Sequence, residues 1–274
     1  MKQPPSNPTR QDEGAALLTA IFYTLIIALL AASIITTQHL RSLSKARQAD
    51  RVQAELLTKT AETFGILLVT GRLAHNSQTA TNANDMLSAP ARCTLAEGVF
   101  ELVIEDEAGK VDLNTGPLSH TGALMEEIHR PDIAERVREF RGDGVLISNI
   151  NELLGDTEED VELRDVLDRT VTVFSRLPGV DRSKISSAIH ALPLRLALER
   201  LPGGAIRSPQ RVFRFDISVR VKGGLEYGRT SYVRLARGAQ EHVFLRRQQT
   251  PPVFHEDEES LASADLCRTI SEQG

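Results

Sequence analysis

The stretch that decides the fold is the apolar run at residues 15–37, AALLTAIFYTLIIALLAASIITT, which follows the polar residues 1–14, MKQPPSNPTRQDEG. The run contains no charged residue. At about 1.5 Å of rise per helical residue, it is long enough to cross a hydrocarbon core of about 30 Å. We therefore predict a single membrane-spanning helix at the N-terminus.

Three kinds of N-terminal segment fit parts of this pattern. A cleaved secretory signal has an apolar core of about 7–15 residues, which is shorter than this run. A plain membrane anchor fits its length. A prepilin-type signal fits best, because the polar leader ends at Gly14 and a glycine gives a peptidase an extended, unhindered backbone. We predict cleavage between Gly14 and Ala15, with the apolar helix retained.

The apolar helix is predicted to continue beyond the membrane, over residues 38–70. At helical spacing, Val52, Leu56, Phe64 and Leu67 form one apolar face. We expect Val52, Leu56 and Phe64, together with Thr19 in the apolar run, to pack against other subunits. The excess of Lys and Arg after the apolar run favours an exported leader under the positive-inside rule. The downstream domain instead resembles an exported one. This favours the opposite orientation, with residues 38–274 in the periplasm of a single-pass inner-membrane protein.

The rest of the chain indicates an α+β fold. Residues 72–98 are rich in Ala, Asn, Thr and Ser and predict a loop, and residues 99–104 (VFELVI) predict a first strand. In 212-VFRFDISVRV-221, apolar and polar residues alternate, as in a half-buried strand. Residues 229–235 and 241–245 complete a predicted antiparallel meander.

Short apolar stretches at helical spacing, separated by glycines, predict a group of helices between the first strand and the meander. The predicted organisation is a leader, a two-part long helix, a split β domain, an inserted helical domain and a disordered tail. Their predicted bounds are 1–14, 15–37 and 38–70, 93–115 with 206–247, 116–205, and 248–274.

Charge and motif content narrow the classes of function. The net charge of −5 argues against a general nucleic-acid binder. Residues 101–168 hold 19 acidic and 6 basic side chains, and residues 195–247 hold 12 basic and 4 acidic ones. This segregation fits attraction between two segments of one fold, or an oriented contact with other subunits. The seven histidines form no metal-spaced pair and no catalytic motif occurs, so we predict a protein that is not an enzyme.

Several stretches together resemble the protein K (GspK) family, the largest minor pseudopilins of type II secretion. These stretches are 14-GAALLTA-20 at the processing junction, 104-IEDEAGKVDLNT-115, 147-ISNINELLG-155, and 169-RTVTVFS-175 followed by 179-GVDR-182 and 191-ALP-193. The second is similar to the family pattern D-x-x-G-x-[IV]-N-L-N-T. Position 5 of the processed chain is Thr19, and the family likewise lacks the glutamate that other pilins carry there. An uncompensated carboxylate in lipid is costly, so this position agrees with a subunit at the filament tip.

The resemblance implies a pilin-like long helix packed on an antiparallel sheet, with an inserted all-α domain of the SAM or helix-hairpin-helix kind. It implies a tip subunit of the pseudopilus that initiates or caps the filament and promotes protein export across the outer membrane. The implied partners are minor pseudopilins I and J, the major pseudopilin and the prepilin peptidase, with methylation of the processed N-terminus. No cofactor is expected, although the family's association with calcium makes Glu105, Asp106 and Glu107 candidate Ca²⁺ ligands.

Other interpretations stay open from the sequence alone. Cys93 and Cys267 form one disulfide or remain unpaired thiols. The turn 177-LPGVDRSKI-185 resembles a helix-hairpin-helix turn, in which backbone N–H groups hold a DNA phosphate, but Asp181 would repel one. The alternatives are therefore a competence or type IV-like pilin subunit that binds DNA, and a membrane-anchored periplasmic protein with an unrelated role.

Overall fold

A computed structural model describes residues 10–75, 91–155, 157–186, 189, 192–202, 210–236 and 242–254. The chain divides into two compact units, residues 1–52 and residues 53–274. Helix α1, Arg10–His75, belongs to both. It begins upstream of the predicted processing junction, so the backbone at Gly14 is helical and not extended as the sequence suggested.

The first unit consists of the N-terminal part of α1. Within the described residues, α1 is the one helix long and apolar enough to cross a membrane, judged by length and composition alone. The hydroxyls in its apolar run bond to its own backbone: Thr24 donates to the carbonyl of Ile21 at 2.8 Å, and Ser33 donates to that of Leu30 at 2.8 Å. No donor of these two side chains therefore needs a partner from outside the helix.

The second unit is built on an antiparallel sheet with strand order β1-β2-β5-β6-β7, and a short β8 also pairs with β6. The strands are β1 Ala91–Leu95, β2 Gly98–Asp106, β5 Gln210–Val221, β6 Leu225–Ala236, β7 His242–Gln249 and β8 Val253–Phe254. Strand β2 lies beside β5 although about a hundred residues separate them, with Ile104 opposite Phe215. The fold is thus α+β and pilin-like, as the sequence predicted.

One face of this sheet forms a hydrophobic core with α1. Alternate β5 residues are buried there, and so are the α1 residues that face them: Phe213, Phe215, Ile217, Val219 and Val221 with Ala54, Leu57, Ala61 and Val69. Gly65 permits the close approach of α1, since a Cβ at this position would lie 3.1 Å from the ring of Phe215.

A group of helices lies between β2 and β5 and has a separate hydrophobic core. Its α-helices are α2 Leu118–Glu127, α3 Pro131–Gly142, α4 Glu158–Thr170 and α5 Leu192–Arg200. Single 3-10 turns occur at Glu107–Gly109, Ile150–Leu153 and Arg182–Lys184. The short strands β3, Val111–Asp112, and β4, Val171–Thr172, pair in parallel and join the start of this segment to the residues that follow α4. We call residues 107–202 the helical insert.

Two predicted boundaries were wrong. The predicted loop 72–98 contains β1, which forms a hairpin with β2. The predicted disordered tail began too early at residue 248, because β7 extends to Gln249 and β8 then pairs with Leu225 and Glu226. The remainder of that tail, 255–274, lies outside the described residues.

Candidate functional site

A buried cluster of charged groups joins the sheet to the helical insert. The ammonium of Lys110 lies 3.1 Å from a carboxylate oxygen of Glu105 and 2.6 Å from one of Glu107, and all three side chains are at most 4% exposed. Lys110 also donates a hydrogen bond of 2.7 Å to the backbone carbonyl of Asp168, near the end of α4. One lysine therefore connects the end of β2 to a helix of the insert.

The protonation of this cluster follows from burial and its charges. Burial alone would lower the pKa of Lys110, but the carboxylates of Glu107 and Glu105 outweigh it and raise that pKa above its ordinary value. Burial raises the pKa of Glu107 despite Lys110. Burial acts in the same direction on Glu105, but Lys110 and Arg214 together hold its pKa below the ordinary value. The ammonium is therefore charged at neutral pH, and Glu107 is the carboxylate that protonates more readily.

Strand β5 contributes a second cation to the same helix end. Arg214 donates to the carbonyl of Asp168 at 3.0 Å and forms an ion pair with Asp216 at 2.9 Å. Asp216 also accepts a hydrogen bond of 2.7 Å from Thr230 on β6. The last carbonyls of a helix lack intrahelical donors and carry partial negative charge. Two cations from the sheet side thus cap α4 and fix the insert to the sheet.

Asp112 organises the start of the insert. Its Oδ1 accepts hydrogen bonds from the N–H of Asn114 at 2.9 Å and that of Thr115 at 2.8 Å. Its Oδ2 accepts from the hydroxyl of Ser175 at 3.0 Å and the N–H of Arg176 at 2.7 Å. The same carboxylate therefore holds together two segments about 60 residues apart in the chain. These hydrogen bonds explain the motif 112-DLNT-115, which carries part of the family resemblance, in structural terms.

The predicted calcium ligands lie at this junction. Glu105 and Glu107 face Lys110, and Asp106 forms an ion pair with Arg211. Among the described residues no group of three or more His, Cys, Asp or Glu side chains could hold a metal ion. A Ca²⁺ ion bound by Glu105 and Glu107 would have to displace the ammonium between them. Calcium binding by these residues stays a prediction.

Glu62 holds α1 to the sheet within the second unit. Its carboxylate accepts a 2.6 Å hydrogen bond from the hydroxyl of Ser231 and two of 3.1 Å from Arg247. Arg229 lies 3.8 Å away and, like Glu62, is almost wholly buried. Sequence analysis did not single out Glu62, although it continues the buried positions of Ala54 and Thr58 at four-residue spacing.

The residues predicted to contact other subunits do not share one face of α1. Val52 is 53% exposed and Leu56 58% exposed, and Thr19 is exposed as well. The ring of Phe64 instead packs edge-on against Phe100 of β2, 6.1 Å away, and belongs to the rim of the sheet core. Phe64 therefore contributes to the core of this chain, and subunit packing through Thr19, Val52, Leu56 and Phe64 stays a prediction.

Three further predictions fall on sites that the structure describes in part. The backbone at Gly14 and Ala15 is helical, and cleavage between them is not tested by it. Cys93 is buried and disulfide-bonded, whereas Cys267, the other cysteine of the chain, lies outside the described residues. The carboxylate of Asp181 accepts bonds from the N–H of Ser183 at 3.1 Å and its hydroxyl at 2.7 Å. The N–H of Ser183, with which a phosphate would bond, is therefore already bonded to this carboxylate.

The long helix, the antiparallel sheet and the helices inserted between β2 and β5 together define a pilin-like protein with a helical insert. Solved structures include a close counterpart of this arrangement. A chain of the crystal structure of the GspK-GspI-GspJ complex from the enterotoxigenic Escherichia coli type 2 secretion system superposes with a TM-score of 0.57. The match covers 75% of this chain and 99% of that one, at 14% sequence identity.

The protein therefore has the fold of a GspK-like minor pseudopilin. Since the identity is 14%, the likeness concerns the fold. No family model matches the sequence, and no curated protein matches it.

Proposed function

We propose that this protein is a minor pseudopilin at the tip of a type II secretion pseudopilus. The observation that carries the proposal is the GspK-like fold over most of the chain, including a helical insert between β2 and β5. In this role α1 is anchored in the inner membrane and packs against neighbouring subunits, and residues 53–274 fold in the periplasm. The function is assembly and not catalysis.

The insert supports a position at the end of a filament. It has its own hydrophobic core, and it is joined to the sheet through Lys110, which pairs with Glu105 of β2, and through Arg214 of β5. A rigid body of this size beside the sheet would obstruct an identical copy from stacking on the same surface. The implied partners are minor pseudopilins I and J, with the major pseudopilin below them.

Coexpression tests the proposal directly. The full-length chain, produced with the minor pseudopilins I and J of its own secretion system, should be purified from detergent-solubilised membranes as a three-protein complex. Leu56→Asp, on the exposed side of α1, should reduce the yield of this complex at least tenfold. Val161→Asp is the matched control, since Val161 is similarly exposed at 56% but lies on α4 of the insert. If the unaltered chain forms no complex with either partner, the proposed role is wrong.

Processing and the helix position provide a second test. Mass measurement of the mature protein should give an N-terminus at Ala15 in cells with the prepilin peptidase and at Met1 in cells without it. Thr19→Glu places a carboxylate near the start of the apolar run, where it should cost less than the roughly 2.5–3.5 kcal/mol of a charge at the helix centre. This variant should assemble less than Thr19→Val. An intact leader in both strains would favour an unrelated membrane-anchored protein.

A further inference from the structure

A cleft between the sheet and the helical insert has chemistry that the assembly role does not use. It encloses about 350 Å³ of space, counting the solvent at its mouth. Strands β6 and β7, helix α4 and the segment after α3 contribute its walls, through ten residues: Asn149, Ile150, Asn151, Arg164, Asp168, Val173, Phe174, Tyr232, Arg246 and Gln248. All of them belong to the second unit, so the cleft lies within one compact body.

Two guanidinium groups, those of Arg164 and Arg246, line this cleft. The Nε of Arg164 is buried and has no hydrogen-bond partner within the part of the chain that the structure describes. Arg246 donates one bond of 3.1 Å to the backbone carbonyl of Ser148. Among the described residues, neither arginine forms an ion pair with a carboxylate. A buried donor without a partner is costly, so a ligand that supplied acceptors here would gain more than an ordinary surface contact.

The charge balance of the cleft favours an anion. Asp168 is the one acidic residue among those that line it. Burial raises the pKa of Asp168 above its ordinary value. Arg164 and Arg246 therefore leave the cleft net positive, and the fork of a guanidinium group matches the two oxygens of a carboxylate. The side-chain amides of Asn149, Asn151 and Gln248 add donors and acceptors suited to a polypeptide backbone.

The cleft opens beside an unpaired strand. Among the described strands, β7 pairs with β6 alone and so forms one edge of the sheet. Arg246 and Gln248 are alternate residues of β7 and point to the same face, the one that lines the cleft. An extended segment added along the outer edge of β7 would place a side chain about 5 Å from Arg246 on that face.

We propose that this cleft binds an acidic side chain on an extended segment of another polypeptide, which adds as a strand to the edge of β7. Backbone hydrogen bonds to β7 provide the register, and Arg164 with Arg246 selects a glutamate or aspartate at one position. The excess of basic residues over 195–247 supplies a field that attracts such a segment. This surface is separate from α1, so its binding does not depend on the pseudopilin role.

Peptide binding to the full-length chain in detergent micelles tests this proposal. The probe is a fluorescein-labelled peptide of alternating threonine and valine with a central glutamate, and the control peptide carries glutamine instead. Fluorescence anisotropy should give a Kd at least tenfold lower for the glutamate peptide. Arg164→Gln and Arg246→Gln should each abolish that preference, with Arg92→Gln on the opposite edge strand β1 as the matched control.

Each result of this binding test either supports or overturns the proposal. Arg246 lies at the surface, so Arg246→Gln keeps the test valid if Arg164→Gln does not fold, and the thermal midpoint of each variant checks this. Equal binding of the two peptides, or no binding at millimolar concentration, overturns the proposal. A variant in which the acidic residues 256–259 are all made neutral should bind the probe as the unaltered chain does. A tenfold gain in affinity would instead assign the cleft to the chain's own tail and overturn it as well.

Discussion

Removing the ammonium of Lys110 should cost far more than removing an exposed charge. Lys110→Met leaves Glu107 buried without its counter-ion and leaves Glu105 with Arg214 and Ser186. Deleting one partner of a buried ion pair typically destabilises a protein by about 3–5 kcal/mol. We expect a loss of this size in the free energy of unfolding of the second unit. Arg195→Gln, which breaks an exposed pair with Glu199, should cost less than about 1 kcal/mol.

A double variant separates the uncompensated charge from the lost packing. In Glu107→Met with Lys110→Met, apolar side chains of similar volume replace the pair, a change that is often neutral. We expect its free energy of unfolding to lie within about 1 kcal/mol of that of the unaltered chain, and well above that of Lys110→Met. The assay is urea unfolding of the full-length chain in detergent micelles, followed by tyrosine fluorescence. Tyr232 reports on the junction because its ring lies 4.2 Å from that of Phe174 of the insert.

The stability of Lys110→Met should depend on pH, in a direction that the pKa of Glu107 determines. In Lys110→Met, Glu107 should have a folded pKa well above its unfolded value, so the folded state binds more protons between the two values. Stability must then fall as pH rises through this window, and the deficit of Lys110→Met is largest at neutral pH and shrinks toward about pH 5. The double variant should show a weaker dependence of the same sign, because Glu105 also loses Lys110 but keeps Arg214 and Ser186. A deficit below about 1 kcal/mol at neutral pH, or one that is constant down to pH 5, would refute the assigned role of Lys110.

Three further predictions concern other contacts of the second unit. Glu62→Ala leaves the buried Arg229 unpaired and should lower the free energy of unfolding by about 3–5 kcal/mol in urea, whereas Glu55→Ala on the exposed side of α1 should cost under about 1. Gly109→Ala should disrupt the packing of the start of the insert against its segment 182–184, measured as faster protease cleavage of the insert, because the new Cβ would lie 2.0 Å from a backbone oxygen of that segment. Peptide mapping without reductant should recover Cys93 joined to Cys267, and reduction should cost roughly 4–5 kcal/mol for so long a loop.

The elements that the sequence predicted are those with a strong pattern of hydrophobicity along neighbouring residues of the chain. The apolar run at 15–37 is readable because lipid-length hydrophobicity is a property of adjacent residues. Strand β5 is readable because every second residue from Phe213 to Val221 faces one core. Strand β1 has five residues at the sheet edge, with mixed exposure and a cysteine, an arginine and a threonine, so it has little pattern of its own. Strand β7 ends in RRQQ, which is typical of a loop, and its pairing with β6 makes it a strand.

The junction could be predicted in location but not in function. The motif around residues 104–115 was recognisable, yet its acidic residues suggested a calcium site. The partners that fix their function are distant in sequence: Lys110 reaches a carbonyl 58 residues away, and Asp112 accepts from an N–H 64 residues away. The contact of Phe64 with the sheet was not predicted, for a related reason. Helical spacing alone identifies apolar faces, but only the sheet decides which face it covers.

Part of the unequal charge distribution stabilises the fold, and part of it has no acidic partner among the described residues. Arg211 and Arg214 of β5 satisfy groups of the junction, namely Asp106 and the carbonyl of Asp168, which accounts for attraction between the acidic and basic segments. Arg164 and Arg246 satisfy no acidic group among the described residues. Since a folded chain gains little from an uncompensated guanidinium in a cleft, Arg246 of the basic segment, together with Arg164 of the acidic segment, is available to an external anion. Neutralising Arg211 should therefore weaken the fold, whereas neutralising Arg246 should weaken binding and leave stability within about 0.5 kcal/mol.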